Sequence, residues 1–161
     1  LGDVYKRQAS VLYKDKAWLF SGHSGAGKST HTNMWKELFN TPVINGDLNL
    51  IDINTTDGIP VVIGIPWCGT SGIYTSRSYT LGGITFIKKD ITDQVRRIDG
   101  DDAVLSIAQR MISPCWNTRL LENNLAASEK IAAGITVFRL CCTKNPSSAF
   151  LMKEEIDNEY H

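Results

Sequence analysis

The most specific chemistry in the chain is carried by Gly22-His23-Ser24-Gly25-Ala26-Gly27-Lys28-Ser29, which satisfies G-x-x-x-x-G-K-[ST] at every fixed position. Glycines let the backbone turn tightly and aim successive N–H groups into a concavity that suits polyphosphate, where a side chain at Gly22 or Gly27 would collide. The Lys28 ammonium reaches the outer phosphates, and the Ser29 hydroxyl is a Mg²⁺ ligand. A helix starting at this point adds the positive end of its dipole, with Thr30 in its first turn. Accidental matches occur on the order of once in a few hundred chains of this length. The flanks make accident less plausible still: Ala17-Trp18-Leu19-Phe20 reads as a strand entering the loop, and Thr30 to Phe39 as a helix leaving it.

A phosphate loop needs a carboxylate partner, and Asp47 is the best placed. Thr41-Pro42 ends the helix, Val43-Ile44 begins an apolar strand, and that strand stops at Asn45-Gly46-Asp47. The spacing from Lys28 allows one helix, one turn and a return strand, which brings Asp47 to the ligand-binding end of a parallel sheet. There it can hold Mg²⁺ or accept a proton from an attacking hydroxyl. Asn-Gly-Asp also makes an ordinary turn. Asp52 is a weaker alternative for the metal. His23 is a phosphate or substrate neighbour within the loop, together with Ser24, Gly25 and Ala26. His31, Met34, Trp35 and Leu38 share one helical face, so His31 reads as a packing residue.

The remaining elements position these groups. Ala9 to Tyr13 and Ala17 to Phe20 flank Lys14-Asp15-Lys16 as a hairpin. Leu48 to Ile53 and Ile59 to Ile65 form a second hairpin across Asn54-Thr55-Thr56-Asp57-Gly58. Gly64 to Gly72 is a loop with Trp67, Cys68 and hydroxyl groups, suited either to substrate contact or to covering the core edge. Arg77 could clamp a phosphate or stand in solvent. Gly82-Gly83 leads into a strand over Ile84 to Ile87, with Gln94 to Ile98 as its hairpin partner. Asp101 or Asp102 caps a helix that Pro114 stops, and a second helix runs from about Asn117 to Ala133. Ile135 to Leu140 is a strand, and Ser147 to Ile156 a closing helix.

The whole chain bounds the reading. Its 161 residues predict one domain, able to bury roughly 70% of its unfolded surface. It is 42% hydrophobic and 21% charged, with 17 basic and 17 acidic residues and zero net charge, which argues against nucleic acid held by bulk charge. Four cysteines without C-x-x-C, and three histidines not spaced to share a metal with them, predict free thiols in a cytoplasmic setting. No apolar run reaches the ~20 residues of a membrane span. Leu1 to Gln8 resembles a run found at the ends of translated metagenomic assemblies. On that reading residues 1–8 are non-native, the domain is 9–156, and the native N-terminal part is missing.

In this order the chain resembles the HPr kinase/phosphorylase-like branch of the phosphoenolpyruvate carboxykinase-type P-loop proteins. The matching segments are Ser21 to Thr30, the strand ending at Asp47 and the hairpin after it. They continue with Pro66-Trp67-x-Gly69, Leu81 to Ile87, two helices and Val137-Phe138-Arg139-Leu140. The resemblance implies an α/β fold with a P-loop core, a mixed sheet with hairpins, and helices packed on the sheet. It implies ATP and Mg²⁺ as cofactors, bound by Gly22 to Thr30 with Ser29 and Asp47 as metal ligands, and Lys28 and Asp47 as catalytic groups. Two positions depart from the pattern: Gly46 stands where relatives carry a second acid, and no histidine precedes His23. The expected function is a Mg-dependent phosphotransferase with a small-molecule or protein acceptor. The alternative is a non-catalytic nucleotide-binding module. A homo-oligomer is compatible with the sequence and not dictated by it. A GTPase is disfavoured, since Thr143-Lys144-Asn145-Pro146 fails N-K-x-D at its final acid.

Overall fold

A computed structural model of the chain describes residues 3–66, 72–111 and 117–160. Trp67, Cys68, Gly69 and Pro114, singled out above, lie outside the described residues.

The chain opens with a hairpin, β1 (Asp3–Tyr13) against β2 (Lys16–Ser21), in register from Tyr13 opposite Lys16 to Gln8 opposite Ser21. Lys14 and Asp15 make its turn with φ of 50° and 58°. Two left-handed residues give the turn the twist that matches paired strands. β1 starts earlier than the apolar pattern suggested, because its first half pairs with a different strand, Leu48–Asp52.

From the end of β2 the loop leads into α1 (Lys28–Phe39), which stops at Asn40 in a left-handed conformation. β3 (Val43–Asn45) pairs with β1, and β4 (Leu48–Asp52) and β5 (Val61–Ile63) form the expected hairpin. β6 (Ser78–Lys89) begins beside β5 and continues parallel to β2. β7 (Gln94–Arg97), α2 (Gly100–Ala108), α3 (Thr118–Gly134), β8 (Thr136–Cys142) and α4 (Ser147–Asn158) complete the order. The main sheet runs β3-β1-β2-β6-β8-β7, with β2, β6 and β8 parallel. The long strands β1 and β6 leave it at one end to pair with β4 and β5. The mixed sheet with hairpins and packed helices is the architecture expected.

Two expectations are corrected. β7 does not pair with β6; it lies antiparallel to β8, with Val95 opposite Leu140. Both edges of β6 are already taken by β2 and β8. The apolar β8, with Val137, Phe138 and Leu140 buried, takes the inner place, and the charged β7 takes the edge. α2 begins at Gly100, so Asp101 and Asp102 lie in its first turn rather than at its cap. Their charges still oppose the positive end of the helix dipole.

The sheet has a different core on each face. Ala17, Leu19, Ile84 and Phe86 pack with Ala103 and Ile107 of α2 and Ala127 and Ile131 of α3. Trp18, Phe20, Ile87 and Phe138 pack with Trp35 of α1 and Ala149, Met152 and Ile156 of α4. Alternation along β2 and β6 divides the side chains between the two layers. The connection from β2 leaves the sheet at the carboxyl ends of three parallel strands and leads to α1.

Candidate active site

The loop is built by close approach at one glycine and by left-handed backbone at two others. A Cβ at Gly22 would stand 2.8 Å from the Ile87 carbonyl oxygen and 2.9 Å from the Ala26 Cβ, so Gly22 is needed where the loop leaves the sheet beside β6. Gly25 and Gly27 have φ of 75° and 102°, which L side chains resist. The expected steric role therefore divides. Gly22 answers to β6, whereas a Cβ at Gly27 meets nothing within 4 Å and the demand there is the backbone angle. The Ala26 N–H donates to the His23 carbonyl at 3.0 Å, and the His31 N–H to the Gly27 carbonyl at 2.8 Å, which starts α1.

Lys28 folds back over this turn. Its Nζ donates to the carbonyls of Gly22 and His23, both at 3.0 Å. Burial pushes its ammonium below the usual lysine range, the positive charge of Arg110 pushes the same way, and Asp47 opposes both. Ser29 and Thr30 are exposed at the start of α1. With Gly25, Gly27 and Lys28 they line a cleft of about 240 Å³ that Lys89 and Lys144 also face.

Asp47 is presented by the end of β3. Its N–H and that of Leu48 donate to the Asn45 side-chain oxygen at 2.9 and 3.1 Å, and its carbonyl accepts from the Gln8 N–H at 2.7 Å. Asn45 is itself buried, with its N–H on the Ser10 hydroxyl at 3.2 Å. Ser10 donates on to Asn49, whose amide donates to the Gln8 carbonyl. The tripeptide is thus a turn, as its composition suggests, and the turn delivers an acid. Asp47 lines a second cleft, about 370 Å³, with Gly22, Lys28 and Arg110. Asp52 ends β4 at the far side of a five-residue strand, accepting from the Asn54 N–H. Arg77 is exposed and is not among the residues lining these clefts.

A third cleft, about 470 Å³, lies against the outer side of the loop. Here the structure gathers residues that sequence reasoning did not connect. Ser21, Phe86 and Arg139 are register partners across β2, β6 and β8, so they stand side by side on the face covered by α2. Arg139 donates to the Ser106 hydroxyl of α2 at 3.4 Å, and Arg110, just past the end of α2, approaches the His23 Nδ1 at 3.3 Å. Lys88 and Lys89 end β6 at the same rim. The only sequence signal was that basic residues close β6 and lie within β8. Without strand order they read as a charged turn and an ordinary strand.

His31 stays out of the site. It is 1% exposed, accepts from the Trp35 indole N–H at 3.0 Å and packs on Phe20 with ring centroids 4.7 Å apart. Burial pushes its pKa down to about 4, against a smaller opposite pull from Asp93, so it is neutral near pH 7. Burial likewise raises the Cys142 thiol to about 11, with Asp93 and Cys141 pushing the same way. Among the described residues no group of three or more His, Cys, Asp or Glu stands ready to hold a metal. Among the described residues no helix is long and apolar enough to cross a membrane.

No protein-family model matches the chain, and no curated protein matches it. Among solved structures, the chain is similar to the Hpr(Ser) kinase/phosphatase from Coxiella burnetii. The two are 10% identical, the match covers 97% of this chain and 89% of that one, and the TM-score is 0.48.

Proposed function

We propose that the chain binds ATP through Gly22 to Thr30 and transfers its terminal phosphoryl group to an acceptor. The observation that carries this reading is the loop itself. A complete G-x-x-x-x-G-K-[ST] segment, left-handed at Gly25 and Gly27, stands at the carboxyl end of a parallel strand with Lys28 over it and Asp47 nearby. Loop amides and the start of α1 would hold the phosphates, and Lys28 would exchange its two carbonyl partners for phosphate oxygens.

Mg²⁺ keeps several waters and takes one or two protein oxygens beside the phosphates. Ser29, in the phosphate cleft, and Asp47, in the neighbouring cleft that shares Lys28 with it, are the protein oxygens that would hold it. Bound there, it would neutralise developing charge on the transferred group. In the transfer, the acceptor oxygen forms a bond to the γ-phosphorus while the bond to the bridging oxygen breaks. ADP leaves with that electron pair, and the acceptor proton passes to the Asp47 carboxylate. On this reading the protein is a cytoplasmic enzyme whose P-loop domain spans 9–156 and whose acceptor is a small molecule or a protein.

A second reading, favoured by Gly46 in place of an acid, is a module that binds nucleotide without transfer. Calorimetric titration with MgATP tests the shared premise: Lys28→Ala is expected to lower affinity at least 100-fold, and a variant that binds normally overturns the site. Labelled ATP with a pool of candidate acceptors separates the readings, because a pure binder passes on no label.

A further inference from the structure

The cleft on the outer side of the loop concentrates positive charge in a chain whose net charge is zero. Lys88, Lys89, Arg110 and Arg139 face it, and none of the residues lining it is acidic. No described ion pair involves any of these four. A guanidinium has five N–H donors in a rigid fork. Here Arg139 has the Ser106 hydroxyl as a neutral partner, and Arg110 has the His23 ring. Both keep donors free for an oxyanion. Like charges gathered without counter-charges repel one another, and a bound anion relieves that repulsion.

On the proposed function, the phosphates of the nucleotide take the smaller cleft with Lys28 and Ser29. The outer cleft joins the machinery at two points. Lys89 faces both the outer cleft and the phosphate cleft, and Arg110 and His23 face both the outer cleft and the cleft that holds Asp47. A molecule in the outer cleft thus borders the base on one side and the phosphate loop on the other. At about 470 Å³, with Phe86 on its wall, the space suits a small organic molecule.

We propose that the outer cleft is an acceptor subsite, and that the acceptor is a small molecule carrying a phosphate or carboxylate group held by Arg110 and Arg139. This rests on the phosphotransferase reading and sharpens it. The acceptor class becomes anionic metabolites, and a neutral protein hydroxyl is disfavoured. Phosphate and carboxylate share the chemistry a guanidinium fork recognises, in two parallel N–H···O bonds.

The test titrates inorganic phosphate, and separately malonate, into protein whose loop is saturated with MgADP. At least one anion is expected to bind at millimolar or better affinity. Arg139→Met is expected to weaken it tenfold or more while changing MgADP affinity less than twofold. Lys88→Met, at an exposed position, repeats the measurement with a smaller loss should Arg139→Met fold poorly. The stronger of the two anions names the recognised group. No anion binding to the filled protein overturns the subsite, as does anion binding that neither variant weakens. An equal loss of MgADP and anion affinity overturns it too, because the cleft would then belong to the nucleotide. The arms remain informative if the nucleotide reading fails. Lys28→Ala without nucleotide is expected to bind the anion and lose it with Arg139→Met, so the subsite stands or falls independently of the loop.

Discussion

The two faces of the sheet treat charge in opposite ways. On the face covered by α1 and α4, Asp157 accepts from Lys14 at 2.8 Å, from Lys153 at 2.7 Å and from the Tyr13 hydroxyl at 2.7 Å. Lys14 also lies 4.5 Å over the Tyr160 ring, and His31 nearby is kept neutral by burial. On the face covered by α2, Arg110 and Arg139 have no acidic partner among the described hydrogen bonds, with Lys88 beside them and Lys89 on the rim of the same cleft. Internal pairing spends a charge on holding elements together. A cluster without counter-charge costs repulsion and is useful only when something outside the chain completes it. Stability should therefore depend on the first group and ligand binding on the second.

The largest effect expected from this contrast is the pH dependence of the closed face. The folded pKa of His31 lies at about 4, below the unfolded value near 6.5, so the unfolded chain binds the extra proton first as pH falls. The stability linked to His31 is fully present above about pH 6.5 and drains away toward pH 4, amounting to about 3 kcal/mol. Urea titrations across that window should show it, and His31→Leu should flatten this part of the profile. An unchanged slope in the variant would remove His31 as the cause.

Next comes Asp157→Asn, which keeps the shape and deletes the charge. Partial burial raises the carboxyl pKa, but the hydrogen bonds from Lys14, Lys153 and Tyr13 outweigh it and hold the group well below the usual carboxylate range. The partners are about a third exposed, so solvent screens the pair and the expected loss is about 1 kcal/mol in denaturant unfolding. A neutral outcome would mean that α4 is held by Ala149, Met152 and Ile156 alone.

Legibility followed how local the signal was. The loop, α1, Asp47, the β4–β5 hairpin, α3, β8 and α4 were readable because motif spacing and hydrophobic period act within a dozen residues. The α3 cap appears only in the structure, where the Asn117 side chain accepts from the Leu120 N–H. Strand order was not, because it depends on which strand wins the place beside β6, and adjacency in sequence favoured β7 wrongly. The same gap hid the outer cleft. Phe86 and Arg139 are 53 positions apart and stand beside each other only because β6 and β8 run parallel in register. Asn45 was read as a turn residue, and its grip on the Asp47 backbone appears only once Ser10 and Asn49 bury it.

The smallest stability effect is the sharpest test of the contrast. Arg139→Met removes one of four neighbouring positive charges and a single long hydrogen bond to Ser106. The methionine keeps much of the side-chain volume against Phe86, so packing changes little. Losing the bond costs a few tenths of a kcal/mol and losing the repulsion returns a similar amount, so the net change should stay within about 0.5 kcal/mol. Raising salt should narrow even that difference, since exposed charges are screened over about 10 Å at 0.1 M. A loss above 1 kcal/mol in denaturant unfolding would make Arg139 a structural pin between β8 and α2, and the two faces would then differ in composition but not in purpose. A neutral result leaves the guanidinium with no internal task, and its conspicuous place beside the loop is then best explained by an anion that the chain itself does not supply.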